Sequence, residues 1–248
     1  MHKVAIPSAV TVRVKARCGK EHPFDMLDAR RTALVAIDLQ NYFLKGDEGA
    51  TARAIIPAVN RLARELRKRG GHVIWVRNGT EGTLKSWSVK HQFLQKPQVQ
   101  KSRYREMRKD GDGFKFWHGL DLQAGDGKLV KKRFSAFIQG SSPIEKYLRA
   151  RKIDTILVAG TATNVCCEST ARDAMMLNFK VVMVSDALAA RSDDLHNAAL
   201  TAFYSNFGDV QSVDEVVASL DRGTKKAAAA SRRERPRVDH VTTAAVGG

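Results

Sequence analysis

The chain has few cysteines and no long apolar segment, and these two shortages limit the classes of protein to which it can belong. Only Cys18, Cys166 and Cys167 occur among 248 residues. An odd count with two adjacent members provides no disulfide framework, so a reducing compartment is favoured and the cytosol is the expected location. No run approaches the ~18 apolar residues of a membrane span, and the first residues lack the apolar core of a targeting signal. We therefore expect no membrane partner.

Aromatic residues are also scarce, at 7% of the chain, which bears on its formal net charge of +16. Residues 222–248 carry +5 of that charge and residues 101–110 carry +3. Proteins that bind single-stranded nucleic acid stack bases on aromatic side chains placed among basic ones. Tyr104 is the only aromatic residue in these two segments. A solvated basic surface is therefore favoured over a nucleic-acid partner, although docking of the tail to nucleic acid or an acidic partner stays open.

The sequence contains several short apolar runs rich in β-branched residues, and helical patterns separate these runs. Four strong runs and two weaker ones predict six strands, at 33–39, 72–78, 155–160, 180–185, 129–134 and 209–213. Helices are predicted at 55–69, from Pro143 onward, at 193–207 and at 213–220. Continuous apolar strands that alternate with helices predict an α/β fold whose parallel sheet is covered on both faces.

Three regions are expected along the chain. Residues 1–28 form a leading arm in which alternating valines at 10, 12 and 14 predict an edge strand. Residues 29–221 form one domain, since 248 residues with 43% hydrophobic content can bury one sizeable core. Within it, residues 79–127 are too long for an ordinary connection and are predicted to be a helical excursion or lid that shapes a pocket. Residues 222–248 have little to bury and are expected to be a mobile tail.

Cys166 has the position of a nucleophile. Residues 158–173 have the pattern of a strand, a tight loop and a helix that begins near this thiol. The helix dipole and free backbone N–H groups acidify such a thiol, and they can also hold an oxyanion. Cys167 falls on the buried stripe of that helix with Thr170 and Ala174, so it is predicted to be core. A small buried hydrophobe is the commoner role of a free cysteine, and for Cys166 taken alone that alternative stays open.

Polar residues mark the ends of three further predicted strands. Asp38 ends the first, Asn78 the second, and Lys131 lies in the weak strand at 129–134. Ligands of an open parallel sheet bind outside the carboxyl ends of its strands, so these residues and Cys166 can converge. Each has an ordinary alternative as a turn former or a solvated lysine. Together, an acid, an ammonium and a thiol form an arrangement suited to attack on a carbonyl.

Three segments of the chain resemble the signature segments of the isochorismatase-like cysteine hydrolases in order and spacing. They are residues 33–41, 130–137 and 160–174, and the resemblance runs from about residue 32 to 220. Within that family, the cysteine segment and the strand that ends in Asn-Gly are most similar to ureidoacrylate amidohydrolases and to N-carbamoylsarcosine amidase-type relatives. The resemblance implies a three-layer αβα fold around a six-stranded parallel sheet of order 3-2-1-4-5-6.

The resemblance also implies a catalytic triad of Asp38, Lys131 and Cys166. Lys131 is chosen over Lys132 because the family's lysine stands three residues before an aromatic residue, here Phe134, and alternation along a strand sends the two lysines to opposite faces. An oxyanion hole formed by the backbone N–H groups of Val165 and Cys166 is implied as well. The family shapes this hole with an unusual cis peptide just before the cysteine.

Substrate contacts are predicted at Asn78, Phe43 and Phe134, with core packing as the alternative for both aromatic residues. Arg77 or Arg133 could attract a substrate carboxylate, although a solvated charge is the favoured interpretation of both. Nicotinamidases of this superfamily carry a histidine-containing metal site after the second strand. Residues 77–82 contain no histidine, so no metal and no other cofactor is expected.

The expected function is that of a cysteine amidohydrolase. The cysteine favours amide or ureide chemistry over isochorismatase chemistry on a vinyl ether, so the partner is predicted to be a small amide, ureido or carbamoyl substrate that releases ammonia or an amine through a thioester. A hydrolase of another small acid and a catalytically silent binding protein on the same scaffold stay open. The resemblance implies a homo-oligomer, either a dimer or a tetramer. Residues 80–84 depart from the tryptophan-rich, acidic stretch of the ureidoacrylate enzymes, so the exact substrate stays open.

Overall fold

The computed structural model describes the backbone of residues 1–233 and the side chains of residues 1–226. Six strands form one sheet: β1 (Thr32–Ile37), β2 (His72–Asn78), β3 (Gly127–Lys131), β4 (Thr155–Thr161), β5 (Lys180–Ala189) and β6 (Asp209–Gln211). All neighbouring strands are parallel, and their order is β3-β2-β1-β4-β5-β6. The predicted sheet and its strand order are therefore confirmed. The chain reverses its direction across the sheet between β1 and β4, where a crevice forms in folds of this kind.

Helices cover both faces of the sheet. They are α1 (Ser8–Cys18), α2 (Asn41–Leu44), α3 (Ala50–Ala54), α4 (Ile56–Lys68), α5 (Thr83–Ser86), α6 (Ser88–Phe93), α7 (Pro97–Glu106), α8 (Ile144–Arg149), α9 (Glu168–Met176), α10 (Asp193–Asn206) and α11 (Val213–Arg233). A π-helical turn, Thr163–Cys167, leads into α9. Helices α5, α6 and α7 lie in the long segment between β2 and β3. Over the described range, no helix is long and apolar enough to cross a bilayer.

Strand β1 shows how the sheet separates two apolar layers. All six of its residues are buried. Val35 and Ile37 belong to the layer that contains α8, α9 and α10, whereas Leu34 and Ala36 belong to the layer that contains α4 and α11. Successive side chains of a strand point to opposite faces, so a continuous apolar run supplies both layers at once.

The leading arm contains a helix, so the predicted edge strand at Val10, Val12 and Val14 is wrong. Val14 is 1% exposed and Val10 packs against the same apolar layer, whereas Val12 is 67% exposed. Residues i and i+4 share one face of a helix, and the alternating valines fit that spacing as well as a strand. Helix α1 rests on α10, where Arg17 Nη1 donates to the carbonyl oxygen of Ser205 at 2.6 Å.

Helix α11 continues past its predicted end at residue 220. Val216 and Leu220 are buried against the apolar layer of α4. Residues 222–233, which the sequence places in the tail, continue this helix. The rest of the predicted tail, residues 234–248, lies outside the described residues.

Gly160 of β4 pairs with Ile37, the last residue of β1. Its φ of +114° favours glycine, and a β-carbon there would lie 2.1 Å from the carbonyl oxygen of Ile37. Asp38 follows Ile37 directly, and the turn with Cys166 follows β4. The missing side chain at residue 160 therefore sets how close these two segments lie.

Candidate active site

Asp38, Lys131 and Cys166 lie at the carboxyl edge of the sheet. Asp38 comes directly after β1, in a left-handed backbone conformation (φ 58°) that aspartate tolerates, and its N–H bonds the carbonyl oxygen of Val76 at 2.9 Å. Lys131 is the last residue of β3, and Cys166 lies in the π-helical turn after β4. Since β2 separates β3 from β1, the long lysine side chain crosses the end of β2 to reach Asp38 and Cys166.

The three side chains are in contact and withdrawn from solvent. Lys131 Nζ lies 2.9 Å from Asp38 Oδ2 and donates to Cys166 Sγ at 3.3 Å and to the carbonyl oxygen of Arg133 at 3.1 Å. The exposed fraction is 0% for Lys131, 1% for Asp38 and 6% for Cys166. Lys132 points away and is exposed. Within the described chain, Asp38 Oδ1 has no hydrogen-bond donor of regular geometry, so this oxygen is free to accept a proton.

Burial keeps Cys166 protonated as a thiol in the resting site, and the predicted acidification of this residue is wrong. Burial and the negative charge of Asp38 together raise the pKa of Cys166 to about 12, although Lys131 opposes the rise. Burial disfavours the ammonium of Lys131, but attraction to Asp38 and Cys166 outweighs it and raises the lysine pKa. A buried carboxylate–ammonium pair beside a neutral thiol is therefore the resting state.

In the turn that carries Cys166, two backbone N–H groups share one carbonyl acceptor. The Val165 N–H donates to the Ala162 oxygen at 3.1 Å, and the Cys167 N–H donates to the same oxygen at 3.2 Å. The cis peptide joins Thr161 and Ala162, at the start of the loop rather than just before the cysteine. Because the Val165 N–H has an acceptor within the turn, the oxyanion hole of Val165 and Cys166 stays a prediction.

A cavity of about 620 Å³ opens beside Asp38 and Cys166. Its wall contains Phe43, Phe134 and Val165 from the predicted site. The other residues that line it are Tyr42, Lys45, Gly46, Asp47, Glu48, Thr51, Ala52, Gln95, Val99, Arg103, Thr161, Ala162, Ala190 and Arg191. Gln95, Val99 and Arg103 come from the segment between β2 and β3, so this segment contributes to the cavity.

The remaining predicted contacts lie away from this cavity wall. Asn78 is 3% exposed and pairs with Lys131 in the sheet, but it is not among the lining residues. The guanidinium of Arg77 lies 4.3 Å and 4.5 Å from the rings of Phe114 and Phe116. That of Arg133 lies 5.3 Å from the Trp87 ring. Neither arginine lines the cavity.

Gln40 is a structural residue of the site that sequence reasoning missed. It is fully buried, and its Oε1 accepts from the Asn78 N–H at 2.7 Å. Its Nε2 donates to the carbonyl oxygens of Asn78 at 3.1 Å and Phe114 at 3.2 Å. Gln40 thus joins the end of β1 to the end of β2. Its position two residues after Asp38, at the end of an apolar run, was the available signal.

We expect Gln40→Leu to lower the free energy of unfolding by about 2–4 kcal/mol, because it leaves one N–H and two carbonyl groups buried without partners. Urea unfolding followed by circular dichroism measures the change. Gln98→Leu is the matched control, since Gln98 is exposed on α7, and its effect should stay within about 0.5 kcal/mol. Equal stability of the two variants would contradict the assigned role of Gln40.

Two stacked histidines pack against the start of the cysteine turn. Neither has a recognisable signal in the sequence. His196 Nδ1 lies 2.9 Å from Thr163 Oγ1 at the start of the turn, and burial lowers the pKa of His196 to about 4, so its ring is neutral. The His2 ring stacks on it at 4.4 Å between centroids. His2 Nε2 accepts from the Ala190 N–H at 2.9 Å. The leading arm therefore contacts the loop that lines the cavity.

In the described part of the chain, no group of three or more His, Cys, Asp or Glu side chains is arranged to hold a metal ion.

Comparison with known proteins gives a consistent family. A family model described as the isochorismatase domain matches residues 32–215. An uncharacterized isochorismatase family protein, YecD of Escherichia coli O157:H7, is 34% identical over 199 residues, which cover 78% of this chain and 98% of YecD. The ureidoacrylate amidohydrolase RutB of Klebsiella variicola is 28% identical over 225 residues, which cover 82% of this chain and 93% of RutB.

A solved structure is similar as well. The N-carbamoylsarcosine amidase of Thermoplasma acidophilum has a TM-score of 0.59 and 26% identity. The match covers 74% of this chain and 97% of the amidase.

Proposed function

This chain belongs to the isochorismatase family of hydrolases, and we propose that it hydrolyses a C–N bond of a small amide, ureido or carbamoyl compound with Cys166 as the nucleophile. The contact of Lys131 Nζ with Asp38 Oδ2 at 2.9 Å and with Cys166 Sγ at 3.3 Å is the observation that carries the proposal. Attack on a carbonyl carbon requires a nucleophile beside a base, and the lysine that contacts both side chains supports these two roles for Cys166 and Asp38. Similarity to RutB and to an N-carbamoylsarcosine amidase supports the C–N bond class.

Acylation begins from the neutral thiol. Asp38 accepts the Sγ–H proton as Sγ attacks the carbonyl carbon, and the C=O electron pair moves onto the oxygen. The ammonium of Lys131 stabilises the developing thiolate because it already contacts Sγ. The oxyanion would accept from the backbone N–H of Cys166 and, once it leaves the carbonyl oxygen of Ala162, from that of Val165. Removal of one such donor costs roughly 3 kcal/mol in comparable sites.

Collapse of this intermediate breaks the C–N bond. The oxygen pair re-forms the carbonyl, and the leaving nitrogen takes the proton from Asp38 and departs as ammonia or an amine. An amide leaves a thioester on Cys166, and a ureido group leaves a thiocarbamate. Water then gives a proton to Asp38 as its oxygen adds to the acyl carbon, the C–S bond breaks, and the thiolate recovers that proton. The site returns to its resting state.

Ammonia release tests the proposal directly. The purified protein is supplied with ureido acids, N-carbamoyl amino acids and simple carboxamides, and ammonia is measured with a coupled glutamate dehydrogenase assay. We expect release from at least one of these classes. Intact-protein mass spectrometry after an acid quench should show a transient adduct that maps to Cys166. Binding of these compounds without ammonia release would instead indicate a silent binding protein.

A further inference from the structure

Two cations from the segment between β2 and β3 stand beside the cavity without an acidic partner. Arg103 of α7 is half-buried and lines the cavity. Lys90 of α6 is 5% exposed. Among residues 1–226, neither side chain has a carboxylate within ion-pair distance. Two other cations of the cavity wall differ, since Lys45 pairs with Asp112 and Arg191 Nη2 lies 3.7 Å from Glu48 Oε2.

Aromatic rings hold Arg103 at the cavity wall. Its guanidinium carbon lies 5.4 Å from the ring centroid of Tyr42 and 5.7 Å from that of Phe43, and both rings also line the cavity. Such contacts fix the direction of a guanidinium but leave its N–H donors free. The free donors of Arg103 are therefore available to a ligand in the same cavity as Cys166.

Aromatic rings also enclose the ammonium of Lys90. Its Nζ lies 4.1 Å from the ring centroid of Trp87 and 4.3 Å from that of Phe134, which lines the cavity. Phe134 thus contacts Lys90 and also belongs to the cavity wall, which places the ammonium beside the cavity. A buried cation without a counter-charge is costly, and a ligand that supplies the negative charge removes that cost.

The titration of Lys90 agrees with this geometry. Burial and the positive charges of Arg103 and Lys131 together lower its pKa to about 7, although the negative charge of Asp38 opposes them. The attraction of Asp38 does not compensate for burial. Lys90 therefore lacks a counter-charge in the free protein.

We infer that Arg103 and Lys90 form an anion subsite and that the substrate carries a carboxylate together with the bond that is cleaved. A ureido or N-carbamoyl acid has both groups, whereas a neutral amide has only one. The inference rests on the proposed function, because that function places the cleaved bond at Cys166. Arg103 would bind the carboxylate directly. The positive charge of Lys90, beside the same cavity, would attract the carboxylate without touching it.

Binding to Cys166→Ala tests the inference without turnover. Titration calorimetry compares N-carbamoyl-glycine, N-carbamoyl-β-alanine and the next longer N-carbamoyl acid with their methyl esters, which add one methyl group and carry no charge. We expect at least one acid to bind about 10-fold or more tightly than its ester. Adding Arg103→Met or Lys90→Met should remove most of this preference and leave ester binding within about twofold. Lys101→Met, an exposed site on α7, is the matched control and should keep the preference.

The pH dependence supplies a second readout. Loss of the Lys90 proton as pH rises through about 7 should weaken binding of the acid, until the pH reaches the higher pKa that the bound acid confers on Lys90. Ester binding should not follow this change, and Lys90→Met should abolish it. Equal affinity for acid and ester throughout the series, or no acid bound at all, would overturn the inference.

The two proposals fail in different ways. In one case, the protein releases ammonia from neutral amides as fast as from acids and binds both equally well. That result rejects the anion subsite and leaves the proposed amidohydrolase activity standing. Binding that prefers the acids and depends on Arg103, without ammonia release from any compound by the wild-type protein, rejects the amidohydrolase and leaves the anion subsite intact.

Discussion

Replacing Cys166 by alanine is expected to reduce ammonia release by about 10⁴-fold or more, to the background of the assay. Sγ of Cys166 lies 3.3 Å from Lys131 Nζ and lines the cavity with Asp38. The proposed covalent step has no other nucleophile at this position, so binding and any oxyanion donors would be all that remain. Folding should be unaffected because the change removes a single atom beside an open cavity.

Cys167→Ala is the matched control. Cys167 is fully buried in the apolar layer, its Sγ lies 4.0 Å from the carbonyl oxygen of Ala159, and burial raises its pKa well above the usual range. Activity should stay within about threefold of the wild type, with a loss of about 1 kcal/mol of stability from the small cavity. Steady-state ammonia release and thermal unfolding measure the two effects. Activity that survives loss of Cys166 but not of Cys167 would reverse the assignment.

Replacing Asp38 by asparagine is expected to lower kcat by about 10²–10⁴-fold, the usual contribution of a general base, while making the Cys166 thiol more reactive toward iodoacetamide. The two effects have opposite sign because Asp38 accepts the proton in catalysis but raises the pKa of Cys166 in the resting site. Without the carboxylate, only burial opposes the effect of Lys131, which favours the thiolate. Lys131→Met should lower both activity and alkylation, since it removes the positive charge that contacts Sγ and lowers the pKa of Cys166.

The measurement is the rate of alkylation of Cys166 as a function of pH. Cys18 is exposed and would react first, so a Cys18→Ser background is used and the modified peptide is mapped by mass spectrometry. The wild-type rate should rise with pH without a plateau up to pH 10, because the pKa of Cys166 is about 12. The Asp38→Asn profile should shift to lower pH. A shift to higher pH would show that Asp38 does not act on this thiol as proposed.

The sheet and the convergence of Asp38, Lys131 and Cys166 were accessible from sequence, because both follow from local patterns. Apolar runs mark strands, and parallel strands carry their last residues to one edge. The edge strand in the arm failed for a physical reason: valines at i, i+2 and i+4 fit a strand and equally place two of the three on one helix face. Which of these forms depends on α10, a distant partner.

The electrostatics of the site and the contacts between distant parts of the chain could not be predicted from the sequence pattern. The expected acidic thiol followed from the start of a helix, but the effects of burial and of Asp38 on Cys166 become visible only once the fold is known. Lys90 and Arg103 belong to the segment between β2 and β3, whose packing against Phe134 and Phe43 has no local signature. The bonds from Gln40 and the stacked histidines are likewise contacts between distant parts of the chain.

The residue at position 160 offers a criterion for distinguishing catalytically active relatives of this protein from inactive ones. A β-carbon there would lie 2.1 Å from the Ile37 oxygen, so even alanine would force β4 away from β1. The thiol would then move away from the carboxylate although every reactive group was still encoded. A related chain that keeps its aspartate, lysine and cysteine but has a side chain at this position is expected to be inactive, and a search for reactive residues alone would count it as an enzyme.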